Sequence, residues 1–238
     1  MMIGGVMLIG RKTIGTVCYL GGIMAIPEPF VKAWGDMIQY NYEYLLKPTE
    51  RILYTRATVS YHSLARDSMI DEMQGDWILM LDADVLFQPD VVAQMLQKMD
   101  KHNIDVLVGA YPNKGAVAAP VLYMHDKKLK GDYRLGDWDE KADVIPIDGA
   151  GGGCMMIRKN VVDKIKATGE SLFSIKPPCS EDISFFKRCQ ELKIPTYFSP
   201  SIKLEHLVYR GLSIDKDYSK EFRKSMPLGD RNEVKGFK

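Results

Sequence analysis

Apolar positions along this chain fall in short unbroken runs. "TIGTVCYL" at 13–20, "RILYTRA" at 51–57, "WILML" at 77–81 and "DVLVGAY" at 105–111 are rich in β-branched and aromatic residues and are bounded by turn residues. Runs of that length predict strands buried on both faces, as in a parallel sheet covered by helices on each side. Helical stretches lie between them. One is predicted over 29–46, opening at Pro27-Glu28-Pro29. A second covers 58–74 and closes at Gly75, and a third covers 89–100 with Pro89 in its first turn and Asp90 beside it. Strand, helix, strand, helix, strand over the first 111 residues reads as one half of a doubly wound α/β fold.

The second half is less regular. Residues 112–142 are polar, rich in Lys, Asp and Gly, and read as a loop or a small antiparallel excursion. "DVIPIDGAGGGCMMIRKNVVDKI" at 143–165 reads as a strand, a glycine cluster, a second strand and a short helix. "SEDISFFKRCQELKIPTYFSPSIKLEHL" at 180–207 reads as a helix, a strand and a turn with His206 near its end. From Val208 onward there is no apolar periodicity and more Lys and Arg than acid, the pattern of a mobile lid or a disordered terminus. The organisation expected is a leader over 1–12, one catalytic domain over 13–207 divided at 111/112, and a tail over 208–238.

Composition narrows the class without naming it. The 238 residues are 46% hydrophobic and 26% charged, with a formal net charge of +1, so no overall basic field draws the chain to nucleic acid or acidic membranes. The four cysteines form no C-x-x-C pair and suggest a reduced, cytoplasmic protein. The apolar start "MMIGGVMLIGRKTIG" is broken by Arg11 and Lys12, too early for a span of ~20 residues. Its charges follow the apolar stretch, whereas a secretory signal places them before it. Peripheral attachment to a membrane stays compatible with this pattern.

The candidate chemistry begins where the most buried-looking strand ends. In "WILMLDADVLFQPDVV", Asp82 and Asp84 follow Leu81 with one small residue between them. Open α/β sheets bind ligands outside the carboxyl ends of their strands. Val85, Leu86 and Phe87 separate the two acids from the next helix, so neither side chain caps it. Two carboxylates this close repel unless they point apart or a cation lies between them, and a hard divalent cation such as Mg²⁺ or Mn²⁺ satisfies oxygen ligands of this kind.

Taken in order, "SLARDSMIDEMQGDWILMLDADV", "GAGGGCMMIRKN" and "SEDISFFKRCQELKIPTYFSPSIKLEHL" resemble GT-A-fold glycosyltransferases, especially family-2-like enzymes, over roughly residues 13–207. The resemblance implies a Rossmann-like mixed, mostly parallel sheet flanked by helices. Residues 13–111 would form the nucleotide-sugar-binding half and residues 112–207 the acceptor half. It implies that Asp82-Ala83-Asp84 holds Mn²⁺ or Mg²⁺ against the diphosphate of a nucleotide-sugar, with Asp82 also near the ribose and His206 as a third metal ligand. It implies donor contacts for Leu20 and Gly21 at the end of the first strand and for Arg66 in "ARD" at 65–67. There the family has Ala-Arg-Asn, so Asp67 is a departure. The glycine run 151–153 is expected beneath the donor sugar and acceptor, or as a tight turn between two strands. "AYPNKG" at 110–115 is expected along the acceptor cleft, with Lys114 solvated.

Glu181 and Asp182 in "SED" resemble the family's acidic pair at the start of a helix near the acceptor. Asp182, Phe185, Phe186 and Cys189 recur at i, i+3, i+4, i+7 and place Asp182 on the inward stripe. Glu181 shares a mixed face with Ser184, Phe185 and Arg188. Asp182 is therefore the expected general base on the acceptor hydroxyl, inverting the anomeric centre, with Glu181 orienting a substrate hydroxyl. Tyr209, Arg210, Lys216 and Lys220 of the tail are expected either to close over the diphosphate or to be solvated. A metal-dependent nucleotidyltransferase and a non-catalytic nucleotide- or glycan-binding protein of the same fold are the alternatives. The acceptor is left open among a glycan, a lipid-linked saccharide, a protein and a modified nucleic-acid base.

Overall fold

The structure, a computed structural model, describes residues 11–21, 26–58, 61–114, 120–125, 133–135, 139–207 and 212–213. Residues 1–10 of the expected leader lie outside the described residues, as do Gly115 and the tail residues Tyr209, Arg210, Lys216 and Lys220. In chain order the elements are β1 (Lys12–Leu20), α1 (Glu28–Tyr40), a π-helical turn (Asn41–Leu45), β2 (Glu50–Ala57), α2 (His62–Asp71), β3 (Trp77–Asp82), β4 (Val85–Leu86), α3 (Val91–His102) and β5 (Val106–Ala110). They continue with β6 (Leu122–His125), β7 (Tyr133–Leu135), β8 (Ile145–Ile147), β9 (Gly149–Ala150), β10 (Cys154–Arg158), α4 (Lys159–Lys166), α5 (Glu181–Glu191), β11 (Thr196–Lys203), β12 (Glu205–His206) and β13 (Leu212–Ser213).

Among the described residues the main sheet has seven strands in the order β2-β1-β3-β10-β5-β11-β8. β1 is parallel to β2 and β3, and β11 is parallel to β5. β10 runs antiparallel between β3 and β5, and β8 closes the far edge antiparallel to β11. The mixed, mostly parallel sheet expected from the sequence is the one observed.

The unbroken apolar runs are explained by the two cores. Ile78 and Met80 of β3 pack into one cluster with Met69 of α2, Ile165 of α4 and Phe185 of α5. Leu79 and Leu81 of the same strand pack into the other, with Phe30 of α1 and Met95 of α3. Successive residues of a strand point to opposite faces, so a strand covered on both sides must be apolar at every position. β2 lies at the sheet edge and is correspondingly more exposed along its length.

Local departures from the expected elements have local causes. The helix expected over 29–46 ends at Tyr40 and widens into the π-helical turn, whose Asn41 is fully buried and donates its amide to the Tyr54 hydroxyl at 3.1 Å. α2 begins four residues later than expected, at His62, and ends at Asp71. The polar stretch 112–142 contributes β6 and β7, which form a small antiparallel sheet with β9 in the order β7-β6-β9.

Gly75, between α2 and β3, has φ +84°, and a Cβ there would lie 2.4 Å from the backbone of Gly15 and Ile14 in β1. Left-handed backbone and a backbone neighbour both exclude a side chain, and neither can relax without moving β3 against β1. Gly75→Ala is expected to lower unfolding stability by ~2 kcal/mol or more. Urea unfolding followed by circular dichroism measures it; an unchanged midpoint would show that the β1–β3 spacing does not depend on this turn.

Candidate functional site

The carboxyl ends of β1, β3 and β5 open onto a cleft of about 700 Å³. Its floor and walls carry Leu20, His62, Arg66, Asp82, Asp84, Tyr111, Lys114, Gly151, Gly152, Glu181, Asp182 and His206. Residues far apart in sequence meet here through strand pairing. Leu20 lies beside Asp82 in the β1–β3 register, and the Asp82 amide donates to Gly153 O at 2.9 Å. β4 pairs antiparallel with β12, which sets His206 opposite Val85 and brings its ring to Asp84. Gly21 does not line the cleft; its amide donates to Ala57 O at 3.0 Å.

Arg66 is the hub. Its side chain is 3% exposed, and its terminal nitrogens donate to Asp82 Oδ1 and to Gly152 O, each at 3.0 Å. Its Nε lies 3.6 Å from Glu181 Oε1 and makes no hydrogen bond. Burial alone would lower the guanidinium pKa, but Asp82, Asp182 and Glu181 around it outweigh burial and raise it, so the charge is locked on. Both terminal nitrogens of Arg66, from which the resemblance implies a donor contact, make a hydrogen bond within the protein.

The glycine run is explained by protein side chains. A Cβ on Gly152 would fall 2.6 Å from Arg66 Cζ, and Cβ atoms on Gly151 and Gly153 would fall 2.0 Å and 2.7 Å from Tyr111 Oη and Cζ. The missing side chains let the buried arginine and tyrosine approach the backbone. Tyr111 accepts a hydrogen bond from the Gly153 amide at 2.9 Å and sets its ring edge-on to His206, with centroids 5.7 Å apart. Burial and the nearby Asp82 carboxylate push its hydroxyl well above the usual tyrosine range, so it stays neutral.

Asp84 and His206 face each other, with Oδ1 and Nε2 3.4 Å apart. His206 Nδ1 lies 2.7 Å from Pro112 O, which can only accept, so Nδ1 carries a hydrogen. Nε2 is then directed at Asp84: with a hydrogen on both nitrogens the ring donates to that carboxylate, and in the neutral ring it presents a lone pair there, the form that could ligate a cation. Burial would raise the Asp84 pKa, but hydrogen bonds from His206 and Lys114 prevail and hold it at about 2. Lys114 is not simply solvated, as expected; its ammonium lies 2.5 Å from Asp84 Oδ2.

The donor set is one carboxylate and one imidazole directed to one point, which suits Mn²⁺ or Mg²⁺ completed by phosphate oxygens and water. Of the three expected metal ligands, the structure brings Asp84 and His206 together and turns Asp82 to Arg66. Among the described residues no group of three or more His, Cys, Asp or Glu side chains is arranged to hold a metal ion.

Across the cleft, Asp182 sits in the first turn of α5. Its Oδ1 accepts hydrogen bonds from the Ser180 hydroxyl and from the Ile183 amide, the latter at 2.8 Å. Burial dominates and raises its pKa above the ordinary carboxyl value; Glu181 adds to the rise, while Ser180 and Arg66 oppose it. Glu181 does not lie on a mixed surface. Its side chain is 15% exposed, and Ser184, Phe185 and Arg188 of the same face are all buried. The segment before α5 covers that face, where Arg188 donates to Glu170 Oε2 at 2.7 Å and to the Ser174 hydroxyl. Asp67 points away from the cleft and accepts hydrogen bonds from the Ser171 hydroxyl and, at 3.0 Å, from the Phe173 amide, so it fastens this segment to α2.

Sequence reasoning missed His62, and it placed Tyr111 along the cleft only as part of "AYPNKG", without a role of its own. His62 Nδ1 lies 3.8 Å from Glu181 Oε1 at the cleft mouth, one helical turn ahead of Arg66. That i, i+4 spacing was a signal for it, and the position of Tyr111 at the end of β5 was a signal for the other.

The family model described as glycosyl transferase family 2 matches residues 40–166, just over half of the chain. The match spans Arg66, Asp82, Asp84, Tyr111 and the glycine run; Glu181, Asp182 and His206 lie beyond it. The backbone is similar to the crystal structure of A197 from STIV, with a TM-score of 0.50 and 20% identity over 85% of this chain and 91% of that one. At that identity the likeness shows the fold. No curated protein matches the chain.

Removing the guanidinium would strand carboxylates in a half-dry wall. Arg66→Met is expected to cost ~3–5 kcal/mol, the range for breaking a buried ion pair from one side. Gly152→Ala, which pushes the same group off Asp82, should lose stability as well. Chemical denaturation of both variants measures this, and wild-type stability in Arg66→Met would remove the hub from the account. Asp84 is held below its ordinary value of 3.8, at about 2, so it stabilises the fold above pH ~4 and that contribution disappears as pH falls toward 2. Carboxyl-carbon NMR titration reads the value directly, and a midpoint near 3.8 would contradict it.

Proposed function

The chain belongs to glycosyl transferase family 2, and from that premise we propose that it transfers a sugar from a nucleotide-diphosphate sugar to an acceptor hydroxyl, with inversion, in the cleft between Asp84 and Asp182. One observation carries this reading. A carboxyl with a raised pKa and a carboxylate–imidazole pair directed to a common point share the same 700 Å³ cleft at the carboxyl edge of the sheet.

The donor lies with its diphosphate toward Asp84 and His206. These two residues would hold Mn²⁺ or Mg²⁺, which when bound neutralises the charge growing on the leaving diphosphate. Pro112 O keeps the hydrogen on His206 Nδ1 and so keeps Nε2 directed at that position. Asp82, fixed by Arg66, borders the donor where Leu20 ends β1. Arg66 is a positioning residue: it orients Asp82 and Glu181 and balances their charge next to an anionic substrate.

Asp182 takes the proton from the acceptor hydroxyl as that oxygen attacks the anomeric carbon and the bond to phosphate breaks. Both of its protein hydrogen bonds fall on Oδ1, which leaves Oδ2 to receive the proton. Its raised pKa brings the base nearer to neutral pH, where proton transfer is more favourable than to an ordinary carboxylate. Attack comes from the face opposite the departing diphosphate. Glu181, held toward Arg66 and His62, orients a second hydroxyl of the substrate. Among the described residues no helix is long and apolar enough to cross a membrane.

The test is release of free nucleoside diphosphate from a panel of nucleotide-sugars with Mn²⁺, with and without EDTA. Release from one donor, lost in EDTA and in Asp84→Ala, is the expected result. Asp182→Asn should lower turnover by ~10²–10⁴, the usual contribution of a general base. EDTA-resistant release, or full turnover in Asp182→Asn, would remove the corresponding part of the mechanism.

Asp182 must be ionised to act, so kcat/KM should rise with pH through its raised pKa and fall away on the acid side. The Ser180 hydroxyl stabilises the ionised form, so Ser180→Ala should move that acid limb to higher pH. A limb that stays in place would show that another group sets it.

A further inference from the structure

The Asp84 carboxylate has two oxygens and both are directed at partners: Oδ1 at His206 Nε2, 3.4 Å away, and Oδ2 at the Lys114 ammonium, 2.5 Å away. The Lys114 ammonium thus places a monovalent cation on a carboxylate suited to a divalent ion. Lys114 comes from the segment that follows β5, in which Tyr111 and Pro112 are tied to the same wall. Tyr111 holds the Gly153 amide and flanks the His206 ring, and Pro112 O receives His206 Nδ1–H. Lys114 itself is half exposed and lines the cleft, so its ammonium can leave Asp84 without unpacking the core.

We propose that Lys114 is a resident counter-cation of Asp84 that a divalent ion displaces, and that the freed ammonium then pairs with the diphosphate of the donor. This rests on the metal-assisted reading of the site. A divalent ion and an ammonium on one carboxylate repel, so loading the metal drives Lys114 off. Asp84 and the doubly charged diphosphate of the donor together carry one more negative charge than a divalent ion neutralises, and the displaced ammonium balances it. The exchange keeps the wall near charge balance at each stage: ammonium on Asp84 in the free cleft, then metal on Asp84 and ammonium on phosphate in the loaded one. Lys114 is thus a positioning residue for the donor that also sets how readily the cleft accepts its metal.

The proposal predicts effects of opposite sign on two ligands. In Lys114→Met, Mn²⁺ alone should bind ~2- to 5-fold more tightly, because an exposed ion pair of this kind competes by no more than that. Electron paramagnetic resonance of free Mn²⁺ reads it. In the same variant at saturating Mn²⁺, UDP and GDP should each bind more weakly than to the wild type, by calorimetry, and Lys114→Arg should restore most of the loss. A purely structural role for Lys114 would weaken both ligands together, and that result overturns the proposal. Wild-type Mn²⁺ binding that is abolished in Asp84→Asn but unchanged in Lys114→Met also overturns it, while leaving the metal reading intact. If neither the wild type nor Lys114→Met binds Mn²⁺, with or without a nucleoside diphosphate, the metal reading fails and this inference fails with it.

Discussion

A guanidinium that is almost wholly buried must be surrounded by negative charge, and in this protein Arg66 is that guanidinium. Asp82, Glu181 and Asp182 supply the charge, from the end of β3 and the first turn of α5. Water barely reaches the guanidinium, so its charge is held by the acids around it. The arrangement fixes the relative position of α2, β3 and α5 at the carboxyl edge of the sheet. It also dictates sequence at a distance: Gly152 has no side chain because Arg66 lies against its backbone, and its flanking glycines make room for Tyr111 in the same way. The glycine run that precedes β10 is a negative image of two buried side chains.

The sheet makes this cluster possible by a topological device. β10 returns antiparallel between β3 and β5, so the chain must cross the carboxyl edge just before entering the sheet, and the glycines lie at that crossing. β4 and β12 form a second device. Two residues of each strand pair, and that short ladder carries His206 from the end of the fold to Asp84 near its middle. The walls that carry Asp84 and Asp182 are therefore held by separate elements, with Arg66 and Asp82 between them. Such a division would allow one wall to adjust its charge, as proposed for Lys114, without moving the other.

Within glycosyl transferase family 2 this charge distribution has a direct chemical meaning. A nucleotide-diphosphate sugar, the proposed donor, would add negative charge to a cleft already lined with acids. The wall toward Asp84 answers it with cations, whereas the wall toward Asp182 excludes water and holds a carboxyl whose pKa is raised. Two carboxylates in one cleft are driven in opposite directions by their surroundings, which is the usual basis for assigning them different tasks.

Much of this was legible in the sequence, and the reason is periodicity. Strands apolar at every position announce a sheet covered on both faces, and Asp82 and Asp84 announce themselves by ending the most buried of them. Asp182 stood out by its place on the apolar stripe of α5. What periodicity could not show was partnership. Asp82 and Asp84 read as a pair sharing one cation, yet the fold gives Asp82 to Arg66 and Asp84 to His206 and Lys114. Glu181 read as a surface residue because Arg188 shares its face, but the segment fastened by Asp67 and Glu170 covers that arginine. Local spacing determines which way a side chain faces along its own element. Which charge it meets there is decided by other elements, some near in sequence, as α2 brings Arg66 to Asp82, and some far, as β12 brings His206 to Asp84, since ion pairs in a buried wall form only after the sheet has brought them together.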